Sequence, residues 1–247
     1  MRGANDVVAG ATHAHGTGRA HPALADGTSV CMTCHAALDS PTGLSMCATG
    51  AEHSALEGDA QQSCGSCHMP RVAGAPTLHS PKQDHASHAF FGPHRAWYQD
   101  DPAFVATAID LTATHAGGRL RVEVANKSGH SFPTGFPGRM AIITCVGRDG
   151  TGAEIWNCEP RMLGKVYVDA DGKPTLAPYA EKLASDTRIG PGGTDAFEVD
   201  TPTEVADVDV IVALRLVPPP LAEKLSLADA PEGAAKPIAR VTAKREP

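Results

Sequence analysis

The sequence has few aromatic residues, no histidine after residue 130 and no long apolar run. Aromatic residues make up 4% of the 247 residues, which is little for a core of this size. All 12 histidines lie in the first 130 residues, and such clustering is typical of local metal or cofactor binding. No apolar stretch is long enough to cross a bilayer, so we expect no transmembrane segment.

The start of the sequence and the overall charge limit the classes of partner. A secretory signal peptide has a basic region followed by an apolar stretch, and the first residues show neither. The formal net charge is −7. An acidic surface argues against nucleic acid and against an anionic membrane face, but not against a basic protein partner.

The chain divides into two regions of different composition. Residues 1–102 are rich in His, Gly, Ala and Pro and have almost no strand pattern, which predicts short helices and irregular segments folded around something other than their own side chains. Residues 103–247 alternate in hydrophobicity between turn signals, which predicts an all-β antiparallel, immunoglobulin-like sandwich. The predicted strands are Leu120–Val124, Met140–Val146, Val166–Val168, Phe197–Val199 and Val208–Val217, followed by a short helix at Leu221–Leu227 and an edge strand at Ile238–Ala243.

The pattern Cys-x-x-Cys-His occurs twice in the first region. Two thiols at this spacing add across the two vinyl groups of one haem, and the adjacent histidine binds the iron from below. The sequence therefore predicts two covalently attached haem c groups. The residues predicted to hold them are Cys31, Cys34 and His35 for the first and Cys64, Cys67 and His68 for the second.

Two other interpretations of the cysteine pairs are weaker. A four-thiolate zinc site also uses two Cys-x-x-Cys pairs, but the segment from Cys34 to Cys64 is longer than the usual ~15–20 residues. Zinc also gives no reason for a histidine after each pair. A thioredoxin-like redox pair requires a preceding strand, and none is predicted here.

Three stretches resemble the multihaem c-type cytochromes that carry a C-terminal β-sandwich. They are Cys64–Pro70, Ser87–His94 and Asn126–Gly135, and the last matches the pattern Gly-His-x-Phe-Pro-Thr-Gly. Members of this family commonly hold more than two haems, so the resemblance implies a short member or a fragment. It also implies an electron-transfer protein or a haem module of a larger reductase.

The second axial ligands of the two irons are sought among the remaining histidines. His88 precedes a Phe-Phe-Gly segment whose rings can pack on a porphyrin, and His130 lies in a stiff turn beside Phe132. These two are the preferred ligands, with His94 and His53 as the next candidates. The N-terminal His13 and His15 are rivals, and the further histidines are His21, His79, His85 and His115.

A methionine ligand would raise the reduction potential of a haem. Met69 directly follows His68 and is badly placed to reach the opposite face of the same ring, whereas Met46 is free to do so. The many histidines favour bis-histidine coordination, and we therefore expect low potentials.

These features predict a di-haem cytochrome that transfers electrons between redox partner proteins as a module of a larger redox chain or assembly. The alternatives are a haem enzyme with an open iron site, such as a peroxidase or oxyanion reductase, and a structural subunit of an extracellular cytochrome filament or complex. Expected partners are other multihaem cytochromes or a membrane complex. Covalent haem attachment predicts a periplasmic or extracellular bacterial location.

Three of the seven cysteines lie outside the motifs. Cys145 ends an apolar strand, and Cys158 lies on the next strand after a Gly-rich turn. The two can face each other across a hairpin, which predicts a disulfide in an oxidising compartment. Two buried free thiols are the alternative. Cys47 is left either as a buried thiol or as the partner of another chain.

Overall fold

The computed structural model describes residues 21–58, 61–78 and 80–246. Its helices are short, and none in these ranges is long and apolar enough to cross a membrane. They are α1 (Pro22–Ala25), α2 (Ser29–His35), α3 (Thr49–Ser54), α4 (Cys64–His68), α5 (His94–Tyr98), α6 (Ala103–Ala106) and α7 (Pro219–Lys224).

Most of the regular structure is β-strand, and most of it follows residue 108. Four short strands precede that point and form two small hairpins: β1 (Leu38–Asp39) with β2 (Ser45–Cys47), and β3 (Arg71–Ala73) with β4 (Asp84–Ala86). The later strands are β5 (Ile109–Ala116), β6 (Arg119–Asn126), β7 (Met140–Arg148), β8 (Glu154–Asn157), β9 (Arg161–Leu163), β10 (Lys165–Val168), β11 (Pro174–Thr175), β12 (Lys182–Asp186), β13 (Thr194–Asp200), β14 (Asp207–Arg215) and β15 (Lys236–Glu246).

The N-terminal region has almost no hydrophobic core of its own. Among its described residues only the apolar side chains of Ala96 and Trp97 are buried, and both lie on α5, next to the β-region. Short helices and irregular segments are what the sequence predicts here. Apolar burial is the main favourable term in folding, so the described side chains of this region supply little of that term by themselves.

One curled sheet of eight strands dominates the rest of the chain. Its order is β13-β6-β5-β15-β14-β7-β8, and β9 also pairs with β7. Alternate side chains of β6, β7 and β14 are buried in a single apolar cluster, which fills the inside of the curl. A three-stranded sheet, ordered β11-β10-β12, adjoins it in sequence.

The sheet confirms most predicted strands and corrects three expectations. The segment Ile238–Ala243 is not an edge strand, because β15 lies between β14 and β5. The pairing of β15 with β5 is parallel, so the sheet is not entirely antiparallel. Strand β5 was not predicted, since its polar side chains hide the alternation. The immunoglobulin-like arrangement and the domain boundary at residue 102 stay predictions.

Cys145 and Cys158 lie opposite each other on the β7–β8 hairpin, as expected from the sequence. The register pairs Val146 with Asn157, and the backbone N–H of Cys158 donates to the carbonyl of Cys145 at 3.2 Å. Both side chains are buried. The hydrogen bond between the thiols lowers the pKa of Cys158 to about 7 and raises that of Cys145. Both are thiols in this structure, and the disulfide stays a prediction.

Candidate haem-binding site

The first Cys-x-x-Cys-His motif forms helix α2. Asp26 stabilises the start of this helix by accepting from the backbone N–H groups of Thr28 and Ser29, both at 2.8 Å. Residues three and four positions apart share one helix face. Cys31, Cys34 and His35 therefore project from the same side, as attachment to one porphyrin requires.

The second motif forms helix α4 in the same way. Ser63 is its N-cap and accepts from the backbone N–H of Ser66 at 3.1 Å. Cys64, Cys67 and His68 again occupy positions i, i+3 and i+4. The two motifs thus have the same local geometry, each fixed by a polar side chain at or before the first turn.

The starts of the two motif helices are in contact. The backbone N–H of Gly65 donates to the carbonyl of Gly27 at 2.8 Å, and the N–H of Cys64 faces the Thr28 hydroxyl at 3.3 Å. Burial raises the pKa of the Cys31 thiol, and the neighbouring Cys64 thiol raises it further. The first cysteines of the two motifs therefore lie side by side.

His68 is oriented by the backbone of Phe91. Its Nδ1 lies 2.5 Å from the Phe91 carbonyl oxygen, and the Phe91 N–H donates to the His68 carbonyl at 2.8 Å. A carbonyl can only accept, so Nδ1 carries the proton and Nε2 keeps its lone pair. A hydrogen bond of this kind fixes the tautomer and direction of a metal-binding histidine. The ring of Phe104 adds an apolar edge contact at 5.4 Å between centroids.

His130 faces His68. The centroids of their rings are 6.4 Å apart and the ring planes differ by 27°. Two imidazoles bound on opposite sides of one metal have centroids about 6.3 Å apart, given metal–nitrogen bonds of about 2.0 Å. Nδ1 of His130 lies 3.2 Å from the Ser128 hydroxyl and 3.3 Å from the Ser131 carbonyl, so Nε2 is the ring nitrogen that could bind a metal. Burial lowers the pKa of His130, and His68 adds to the effect, so the neutral, metal-binding form is favoured.

Asn126 holds the 127–139 loop that carries His130. Its side-chain amide donates to the carbonyls of His130, Ile189 and Gly190 at 2.7, 2.9 and 3.1 Å. Its oxygen accepts from the N–H and the hydroxyl of Ser128. Because Asn126 is buried at the end of β6, the loop is tied directly to the large sheet.

A second contact to this loop comes from the N-terminal region. Glu52 on α3 accepts from the N–H of Ser131 at 3.0 Å and from the hydroxyl of Thr134 at 3.2 Å. Its other oxygen accepts from Arg188 at 2.8 Å. Burial raises the pKa of Glu52, but the Ser131 N–H and the Arg188 guanidinium outweigh burial and hold that pKa below its usual value. Nothing in the local sequence around Glu52 or Arg188 predicts this role.

Among the described residues, the predicted ligands His88, His94 and His53 make no ring contact with His68. The ring of His88 contacts that of Phe90 at 6.1 Å, and its side chain is exposed. His94 is also exposed, on α5. Nε2 of His53 lies 2.6 Å from the carbonyl of Gln62 and is therefore engaged in this structure. The structure thus brings His130 to a motif histidine and leaves His88, His94 and His53 apart from it.

The remaining histidines and methionines named from the sequence lie in varied places. His13, His15 and His79 fall outside the described residues. His85 contacts the Gly74 carbonyl at 3.0 Å, and His115 is buried in β5. Met46 packs on the small cluster formed by Tyr167, Ala177 and Ala180. His21 is exposed.

In the described ranges no group of three or more His, Cys, Asp or Glu side chains is placed to bind a metal ion. No protein-family model and no curated protein matches the chain. A solved structure does. The penta-haem cytochrome c552 from Thermochromatium tepidum is similar to this chain at a TM-score of 0.76 and 26% identity, over 92% of this chain.

The chain has a multihaem-cytochrome-like fold. It spans 58% of the length of that cytochrome. The similarity supports haem c as the group held by the motifs, and the donor set fits it: two cysteine pairs, a histidine after each, and an imidazole facing one of them. A second match, the C-terminal domain of wzt, has a TM-score of 0.24 and 9% identity and carries no argument.

Proposed function

We propose that the chain is a c-type cytochrome with two covalently attached haems, which passes electrons between redox partner proteins. The penta-haem name of the similar structure supports the class. The two motif helices support the number, because each presents two thiols and one imidazole on one face. A bound haem supplies an iron that alternates between two oxidation states.

The residues of the second motif have the best-supported roles. Cys64 and Cys67 would form the thioethers, and His68 and His130 would be the two protein ligands of the iron. The observation that carries this proposal is the 6.4 Å separation of the two rings. Phe91 holds His68 through its carbonyl oxygen, which keeps the imidazole aimed at the iron.

The first motif takes the same roles for Cys31, Cys34 and His35. The ligand opposite His35 stays one of the predicted histidines, His88 and His94 among them. Since the cysteines of the two motifs lie side by side, the two haems are expected to lie close together, and electrons would pass directly from one to the other.

Electron transfer is preferred over catalysis because of the pairing of His68 with His130. A haem enzyme needs an open or weakly held iron position that a substrate can reach. With both His68 and His130 as ligands, the iron of the second haem would have no such position. Two histidine ligands also favour a low reduction potential compared with a histidine–methionine pair.

The proposed partners are redox proteins, including other multihaem cytochromes or a membrane complex, and the proposed location is periplasmic or extracellular. Assembly into an extracellular filament or complex is compatible with this role. The location rests on the class of the similar structure and on covalent haem attachment. Nucleic acid is not among the proposed partners, because the net charge is −7.

Covalent attachment is tested on a denaturing gel stained for peroxidase activity, with a pyridine haemochrome count. We expect haem to remain on the polypeptide at two per chain. Cys34→Ser and Cys67→Ser should each reduce the count to one stable haem. A chain that loses all colour on denaturation would exclude c-type attachment.

The axial pair is tested with His130→Ala. We expect the reduced variant to bind carbon monoxide at one iron, whereas the parent does so only weakly, because the variant loses a ligand that blocks the site. Lys127→Ala, a change at an exposed residue of the same loop, is the comparison and should leave carbon monoxide binding as in the parent. If His130→Ala keeps a fully low-spin spectrum with no carbon monoxide shift, His130 is not the ligand.

A further inference from the structure

The carboxylate of Glu52 lies at the junction of the N-terminal region and the sheet. It is on α3, whose Ala51 N–H donates to the carbonyl of Ala36 at 2.9 Å, directly after His35. Helix α3 also approaches the first motif closely, since a Cβ on Gly50 would lie 2.7 Å from Ala36 Cα. The backbone of α3 is therefore fixed against the end of the first motif helix.

The side chain of Glu52 reaches in the opposite direction, to the 127–139 loop. One carboxylate oxygen accepts from both the Ser131 N–H and the Thr134 hydroxyl. Ser131 directly follows His130. A shift of this N–H would therefore move the imidazole that faces His68, because only one peptide unit separates them.

Arg188 fixes the carboxylate from its other side. It donates to Glu52 at 2.8 Å and to both oxygens of Asp186 at 2.8 and 2.9 Å. The Arg188 and Glu52 side chains are 13% and 14% exposed. A pair this shielded from water holds its geometry more firmly than a surface ion pair. It joins α3 to the segment that follows β12, and Asp186 at the end of β12 holds Arg188 in place.

We infer that Glu52 is a positioning residue, which holds His130 at the iron of the second haem and ties that ligand to the first motif through α3. This rests on the proposed function. No contact between Glu52 and the haem is required, because Glu52 acts through the Ser131 N–H and the Thr134 hydroxyl. Loss of these two acceptor contacts would let the loop move and His130 leave the iron.

The test compares Glu52→Ala with Glu52→Gln in the haem-loaded protein. Glu52→Ala should give a high-spin fraction at one of the two irons, visible by electron paramagnetic resonance. It should also bind carbon monoxide when reduced, and added imidazole should restore the low-spin spectrum. Glu52→Gln keeps one oxygen acceptor for Ser131 but loses the charge that pairs with Arg188, so its high-spin fraction should be clearly smaller than that of Glu52→Ala. Glu57→Ala, an exposed acid in the same segment, is the matched control.

Three results would overturn the inference: a parent-like Glu52→Ala, equal disturbance in Glu52→Ala and Glu52→Gln, or a change at both irons together with loss of the sheet signal in circular dichroism. If Glu52→Ala does not fold, Glu52→Asp replaces it, because the shorter carboxylate cannot reach both the loop and Arg188. Glu52→Asp should then show a high-spin fraction at one iron, smaller than that expected for Glu52→Ala. A parent-like spectrum of Glu52→Asp would also overturn the inference. Failure of the proposed function itself looks different, since the parent would then lack covalent haem.

Discussion

Replacing Asn126 with Ala should destabilise the β-region and loosen the loop that carries His130. The amide of Asn126 donates to the carbonyls of His130, Ile189 and Gly190. Each of these carbonyls also accepts a second hydrogen bond, from the Ser128 hydroxyl, the Phe132 N–H and the Gly193 N–H respectively, and keeps it in the variant. The N–H of Ser128 instead loses the side-chain oxygen that it donates to. A half-buried N–H left without a partner costs about 1–3 kcal/mol, and the weakened donor contacts add about 1 kcal/mol. We therefore expect a loss of about 3 kcal/mol in the free energy of unfolding.

The measurement is guanidinium denaturation followed by far-ultraviolet circular dichroism for the sheet and by the haem Soret band for the ligand. Asn157→Ala is the control, because Asn157 is exposed on β8 and such changes usually stay within about 0.5 kcal/mol. The variant at Asn126 should also bind more carbon monoxide when reduced than the parent. A loss of less than about 1 kcal/mol with an unchanged Soret band would refute the view that this side chain organises the loop.

Two further predictions concern the β-region. Burial lowers the pKa of His115, with Arg245 acting in the same direction and Asp207 opposing it. Because this histidine is neutral in the fold, its contribution to the free energy of unfolding should fall as the pH drops below about 6.5, the pKa of an unfolded histidine. His115→Gln should therefore lose less free energy of unfolding between pH 7 and 5 than the parent. Equal losses would show that His115 does not titrate on unfolding. Protein matured under oxidising conditions should have a disulfide between Cys145 and Cys158, worth about 3 kcal/mol. It forms with loss of two protons and two electrons, the electrons passing to a disulfide-exchanging oxidant. Because both residues are buried, alkylation is done in denaturant; mass spectrometry should find both unlabelled until reductant is added, and labelling without reductant would contradict this.

The sequence allowed several strands to be predicted, because a strand pattern rests on neighbouring residues. Strands β6, β7 and β14 follow from alternating apolar side chains, whereas the helices at the two motifs, α2 and α4, were not predicted. The position of β15 could not be predicted in this way. A strand with one polar face resembles an edge strand in sequence, whether or not another strand pairs with its second side.

The site shows the same division between local and distant information. His130 was named from its turn and from a family-like stretch, and its side chain does face His68. Glu52 and Arg188 could not be named, because their roles depend on a contact between residues far apart in the chain. His88 was named for its aromatic neighbours, but in the structure its ring contacts Phe90 rather than a motif histidine.

The contact between Gly27 and Gly65 has a consequence for the rate of electron flow. A Cβ on Gly65 would lie 3.3 Å from the Gly27 carbonyl oxygen, so the first turn of α4 meets the backbone just before α2 through main-chain atoms. Tunnelling between two redox centres slows steeply as the gap between them widens. With the proposed haems anchored on these helices, that gap is set by the polypeptide backbone. Substitutions of the surrounding side chains would then leave the rate of electron transfer between the two haems largely unchanged.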